Sequence, residues 1–173
     1  MTNNRFCHSL LSVLMEMVAE QLSDLGAKVV INYSSSPERA NEVVEGLKAN
    51  GREAIAIHAD ISKVSDITHL FDEIMKHFGR IDILINNAGL MINKPLAEAT
   101  EEDFDKRFSV NVKGTYFACQ QALKHMESKG RIINFSTSVT GQMFPSYSIA
   151  KKSLSQLCGK TFFLLILNLA CFR

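Results

Sequence analysis

Short β-branched runs alternate with helix-length amphipathic segments along most of this chain, and that alternation constrains the fold more than any single motif does. Ala27-Lys28-Val29-Val30-Ile31-Asn32, Ala54-Ile55-Ala56-Ile57-His58, Ile81-Asp82-Ile83-Leu84-Ile85 and Arg131-Ile132-Ile133-Asn134-Phe135 read as buried strands. A helix over Glu20–Leu25 meets a glycine stop at Gly26. Ser36 and Pro37 start the next helix as N-cap and first helical position; Ala40, Val43, Val44 and Leu47 share its apolar face, and Asn50-Gly51 ends it. A third helix over Val64–Phe78 carries Ile67, Leu70, Phe71, Ile74 and Phe78 on one stripe.

Thr100 caps a long helix whose first turn holds Glu101, Glu102 and Asp103, where the helix dipole favours negative charge. Its apolar face is expected to be Phe104, Phe108, Val112, Tyr116, Cys119, Leu123 and Met126, with Gly130 ending it. Strands separated by helices imply parallel βαβ units with right-handed crossovers, hence an α/β fold with a doubly wound parallel sheet. A length of 173 residues, against about 150 per domain, predicts one domain over 1–173.

Composition narrows the function classes. Nineteen basic against eighteen acidic residues leave +1, and 46 % of the chain is hydrophobic. That excludes a disordered acidic tail and an electrostatic nucleic-acid binder. Cys7, Cys119, Cys158 and Cys171 form no C-x-x-C pair, which points to a reducing compartment and no metal site. The most apolar run, Phe162 to Phe172, is interrupted by Asn168 and falls short of the ~20 residues a membrane span needs. Glu16 interrupts the stretch from Leu10 to Met15, which argues against a secretory leader. The expectation is a soluble cytoplasmic protein, off the membrane and away from nucleic acid.

In open parallel sheets ligands bind beyond the carboxyl ends of the strands. After the first strand, Asn32-Tyr33-Ser34-Ser35-Ser36 offers small polar groups and no acidic residue to accept from a ribose, with Arg39 one helical turn on. That favours NADP over NAD, although a plain helix cap reads equally from the same run. Asp60 and Ile61 follow the second strand and Asn86-Asn87-Ala88-Gly89 the third, where a glycine lets backbone approach a flat ligand. Asn111 sits inside the long helix, where asparagine competes with the helical ladder; the alternative is a solvated polar position. Ser136-Thr137-Ser138 follows the fourth strand, and Tyr147 and Lys151 stand four apart, on one face if helical.

Taken together, Asn-Asn-Ala-Gly after one strand, Asn111 in the next helix, Ser138 after the next strand and then Tyr147 with Lys151 resembles the short-chain dehydrogenase/reductase family over about residues 19–149. The resemblance implies a Rossmann-type, NAD(P)-dependent oxidoreductase moving hydride between nicotinamide and a carbonyl or alcohol. It implies that Ser138 binds the substrate oxygen, Tyr147 exchanges the proton, Lys151 lowers the phenol pKa and holds the nicotinamide ribose, and Asn111 supports a proton path. A phenol near pKa 10 needs such a cation to act near pH 7. By the same resemblance Asn32, Ser34, Asp60, Ile61, Asn86, Ala88 and Gly89 bind the cofactor.

Both ends depart from the family pattern, in segments 1–18 and 150–173. The family's glycine turn falls on Ser9, Val13 and Met15, and no glycine precedes Gly26. In a 3-2-1-4-5 sheet the missing first strand lies between two others, so a gap is expected there, one strand position of about 4.8 Å. Ser138 and Tyr147 are nine residues apart, closer than usual; relatives often carry Pro-x-Tyr-x-x-Tyr, in which the second tyrosine is catalytic and Tyr147 matches the first. The family's last strands are not recognisable. Altered or truncated termini are therefore expected. The alternative function is an inactive remnant that pairs with intact subunits, or with its own copies, through helix 101–127.

Overall fold

In the computed structural model, residues 4–92 and 94–135 are described, with side chains from 14 onward. In chain order the elements are α1 (Asn4–Asp24), β1 (Val29–Tyr33), α2 (Pro37–Ala49), β2 (Ala54–His58), α3 (Val64–Phe78) and β3 (Ile81–Asn86). A 3-10 turn at Leu96–Glu98 leads to α4 (Glu101–Phe108), a π-helical segment (Ser109–Gly114), α5 (Thr115–His125) and β4 (Met126–Asn134). The chain divides into two compact units, Met1–Asp60 and Ile61–Arg173.

In the first unit β1 and β2 pair in parallel, from Val29 opposite Ala54 to Tyr33 opposite His58. Ala19, Val29, Val44, Leu47 and Ala54 form its core; burying a side chain such as Val44 or Leu47 contributes roughly 1.5–3 kcal/mol. Both flanking helices stop as the sequence predicts. Gly26 has φ 89° and Gly51 φ 72°. Around them Ala27 N–H reaches Leu22 O at 3.0 Å and Arg52 N–H reaches Leu47 O at 3.0 Å, the six-to-one bond of a Schellman stop. Ser36 holds the N-cap position of α2, but its side chain makes no capping hydrogen bond. Pro37 alone, its φ already helical, marks that start.

In the second unit β3 and β4 pair in parallel, regularly from Ile83 opposite Arg131 to Asn86 opposite Asn134. Ile81 also pairs with Met126, with a register shift between Ile81 and Ile83. The expected helix end at Gly130 is therefore corrected: α5 stops at His125, because the chain already joins the sheet at Met126. Ile67, Leu70 and Phe71 of α3, Ala118, Cys119 and Ala122 of α5 and Ile132 of β4 are buried, and α3 packs against α5.

The long helix also differs from the sequence reading. Phe104, Tyr116 and Leu123 are 52, 49 and 64 % exposed. Its buried residues are Arg107, Asn111, Gly114, Thr115, Ala118, Cys119, Gln121 and Ala122, and of the expected face only Cys119 is among them. The reason is close packing: Cβ built on Gly114 would stand 2.6 Å from Ile61 O, so only a bare backbone fits that contact.

Among the described residues β1 and β2 form one two-stranded sheet and β3 and β4 another. No strand precedes α1 among these residues, and the helix begins at Asn4. No helix among them is long and apolar enough to cross a membrane.

Candidate functional site

Thr100 opens α4 with a reciprocal cap. Its hydroxyl accepts from Asp103 N–H at 3.2 Å while Thr100 N–H donates to Asp103 Oδ2 at 3.1 Å. Lys94 Nζ adds an ion pair to the same carboxylate at 2.7 Å. The Lys94 hydrogen bond, then the Thr100 backbone bond, hold the Asp103 pKa down to about 2.

Two turns on, Asn111 is fully buried in the π-helical segment. Its Nδ2 donates to Leu90 O at 2.8 Å and its Oδ1 accepts from Leu90 N–H at 2.8 Å. The solvated alternative for Asn111 is thereby excluded. The amide ties the helix to the residue directly after Gly89, and Thr115 Oγ1 donates to the Asn111 carbonyl at 3.4 Å. A π-turn widens the helix and often marks a functional position; here it places an asparagine against a loop backbone.

The carboxyl ends of β3 and β4 carry a second polar contact. Asn86 Nδ2 donates to Asn134 Oδ1 at 2.8 Å and lies 3.5 Å from Cys119 Sγ. Phe135 N–H donates to Asn86 O at 2.9 Å, which extends the pairing to the rim. The next side chain, Asn87, buries its Oδ1 without a hydrogen-bond partner. An unsatisfied buried acceptor costs about 1–3 kcal/mol, so this atom suits a ligand donor. Ala88 is exposed and Gly89 half-buried, so backbone is presented beside that acceptor.

The first unit commits its polar groups differently. Asn32 Nδ2 donates to Ala59 O at 3.0 Å and Ile57 O at 3.3 Å, stitching the end of β1 to β2. Ser34 is exposed and its carbonyl lies 3.2 Å from His58 Nε2. Arg39 pairs with Glu16 at 2.8 Å, so a 2′-phosphate would compete with that carboxylate. Asp60 and, in the second unit, Ile61 are half-buried. The residues mapped to the family's glycine turn, Ser9, Val13 and Met15, all lie within helix α1. Among the described residues the structure thus brings Leu90, next to Gly89, together with Asn111, and Asn86 together with Asn134. Ser138, Tyr147 and Lys151 lie outside the described residues.

Sequence reasoning missed Arg107, 2 % exposed, whose Nη2 donates to Ile92 O at 2.8 Å. Its place one helical turn before Asn111 was the available signal.

The short chain dehydrogenase family model matches residues 14–162. Elsinochrome reductase 1 of Elsinoe fawcettii is 42 % identical over 125 residues, covering 72 % of this chain and 46 % of that protein. A probable tetrahydroxynaphthalene reductase of Zymoseptoria tritici is 44 % identical over 125 residues, with the same coverages of 72 and 46 %. The chain spans about half the length of these curated relatives. Among solved structures, a short chain dehydrogenase of Burkholderia cenocepacia J2315 in complex with NADP superposes with a TM-score of 0.78 at 35 % identity, over 81 % of this chain and 59 % of that one. A blue fluorescent protein from a metagenomic library, in complex with NADPH, gives 0.76 at 30 % identity over 80 and 58 %. With a match of that extent and paired parallel strands joined through helices, the fold is an incomplete Rossmann-type α/β sheet, and the chain belongs to the short-chain dehydrogenase family.

Proposed function

We propose that this chain is an oxidoreductase that binds NADP(H) and interconverts a small carbonyl compound and its alcohol. The observation that carries the reading is the buried Asn111 amide closing two 2.8 Å hydrogen bonds on Leu90, beside Gly89. Further support comes from the reductase names of the relatives and the NADP and NADPH in the similar structures.

The residues fit a nicotinamide at the rim of the second unit, where Asn87 offers an unpaired acceptor beside the backbone of Ala88 and Gly89. Asn86, Ala88 and Gly89 would line it. Taken by itself, the first unit would offer Asn32, Ser34 and Asp60 to adenosine, with Ile61 following them in the chain. α1 holds no glycine from Asn4 to Asp24, so those residues offer no glycine cradle for a pyrophosphate.

When bound, the cofactor supplies a hydride to the carbonyl carbon. Ser138 would hold the carbonyl oxygen by a hydrogen bond, and Tyr147 would deliver its phenolic proton to that oxygen. Lys151 would favour the resulting phenolate, since a nearby cation lowers a phenol pKa. Asn111 would support the path that returns the proton to Tyr147.

A second reading has its own observation. Phe104, Tyr116 and Leu123 expose apolar surface along α4 and α5, which suits association with another copy or an intact subunit by a chain that does not itself turn over. Incubating the chain with NADPH deuterated at the transferring position and a panel of test ketones separates the two. Deuterium in an alcohol product, lost in Tyr147→Phe, supports the oxidoreductase; no transfer to any ketone favours the association reading.

A further inference from the structure

One face of α4 and the π-helical segment holds the chain after Gly89 at three places. Asp103 pairs with Lys94 at 2.7 Å. Arg107 donates from Nη2 to Ile92 O at 2.8 Å. Asn111 bonds Leu90 N–H and O at 2.8 Å each. Residues 103, 107 and 111 recur every four positions, and their partners 94, 92 and 90 every two, in the opposite direction.

Four helical residues rise about 6 Å, so Asp103, Arg107 and Asn111 stand in one row along the helix and meet Lys94, Ile92 and Leu90 in reverse order. The Ile92 carbonyl also accepts from Lys94 N–H at 3.2 Å.

The middle rung is the informative one. Arg107 is 2 % exposed, and its Nε is buried without a hydrogen-bond partner. Burying a guanidinium is costly, and an apolar side chain of similar length would fill the space without that cost. What arginine adds here is its charge-assisted bond to the Ile92 carbonyl.

We propose that Arg107 is a positioning residue: with Asp103 and Asn111 it clamps Leu90, Ile92 and Lys94 to the helix, and so fixes the wall that Ala88 and Gly89 present to the nicotinamide end of the cofactor. The proposal rests on the NADP(H) reading for its ligand, while the clamp is a property of the chain alone.

Residue-resolved amide hydrogen exchange on the full chain tests it, comparing wild type, Arg107→Met, Arg107→Lys and Lys94→Ala. In Arg107→Met, exchange at Leu90 and Lys94, whose N–H groups bond Asn111 Oδ1 and the Ile92 carbonyl, should rise about tenfold, the scale of one net hydrogen bond, while α3 amides stay unchanged. Arg107→Lys, which keeps one charged donor, should restore most of the protection. Unchanged exchange at both amides in Arg107→Met overturns the clamp. If Arg107→Met does not fold, the exposed Lys94→Ala decides: faster exchange at Leu90 and at the amide of position 94 supports the clamp, and no change overturns it. NADPH titration of the same proteins reads the consequence, with Kd raised about tenfold in Arg107→Met and near wild type in Arg107→Lys. Equal affinity in Arg107→Met and wild type overturns the positioning role. A wild-type chain that binds no NADPH overturns the cofactor reading, and the exchange data still decide the clamp.

Discussion

Asn111 and Leu90, 21 residues apart in sequence, satisfy each other completely: the side-chain amide donates to the Leu90 carbonyl and accepts from the Leu90 N–H, each at 2.8 Å. Asn111 is fully buried, so its amide has no water to fall back on. Asn111→Ala leaves the part-buried Leu90 N–H and carbonyl unpaired and should cost about 1–3 kcal/mol. Asn111→Asp keeps the acceptor for Leu90 N–H but sets a carboxylate against the Leu90 carbonyl, and should also destabilise. Urea midpoints at fixed m-value measure both; a midpoint unchanged in Asn111→Ala would contradict the pairing.

Gly114 and Gly46 make a matched pair of opposite sign. A Cβ on Gly114 would meet Ile61 O at 2.6 Å, whereas one on Gly46, inside α2, meets nothing within 4 Å. Gly114→Ala should destabilise by about 1–3 kcal/mol through overpacking against backbone. Gly46→Ala should stabilise by roughly 0.5–1 kcal/mol, since helical alanine loses less backbone entropy than glycine. Thermal melts of the two variants should move in opposite directions.

Asp103 gives the chain an acid-sensitive contact. Its folded pKa of about 2 lies below the ordinary carboxylate value because Lys94 and the Thr100 N–H bond the ionised form. A depressed folded pKa adds stability that is fully present above the unfolded value, about 3.9, and is lost as pH falls through about 2. Asp103→Asn should therefore lose less stability than wild type between about pH 4 and pH 2. Parallel acid titrations in that window would contradict the assignment. Because the pair is near the surface, its effect should also weaken with added salt.

Much of the fold was legible because its signals are local. β2 runs from Ala54 to His58 and α3 from Val64 to Phe78, as the β-branched run and the apolar stripe indicate. Gly26 and Gly51 stop their helices, and Thr100 and Asp103 cap α4, because each device is closed within a few residues.

The inward face of the long helix was not legible. Arg107 gives no signal of burial by type, and Asn111, a site candidate, leaves a solvated position open; only the Ile92 and Leu90 backbone, 15 and 21 residues earlier, makes their burial possible. Phe104 and Leu123 read as core by type yet stand exposed, because Gly114 brings the opposite side of the helix close to Ile61. Asn32 reads as a ligand group at the strand end, and its sequence position does not reveal that its amide nitrogen bridges Ile57 O and Ala59 O. Ser136-Thr137-Ser138, Tyr147 and Lys151 lie outside the described residues.

Equilibrium titration of NADPH, followed by its fluorescence, tests the central claim most directly. The account predicts saturable binding below about 1 mM, within the usual range for enzyme ligands, and weaker binding of NADH. Fluorescence that stays linear in NADPH up to that concentration, with a folded chain by circular dichroism, would contradict it.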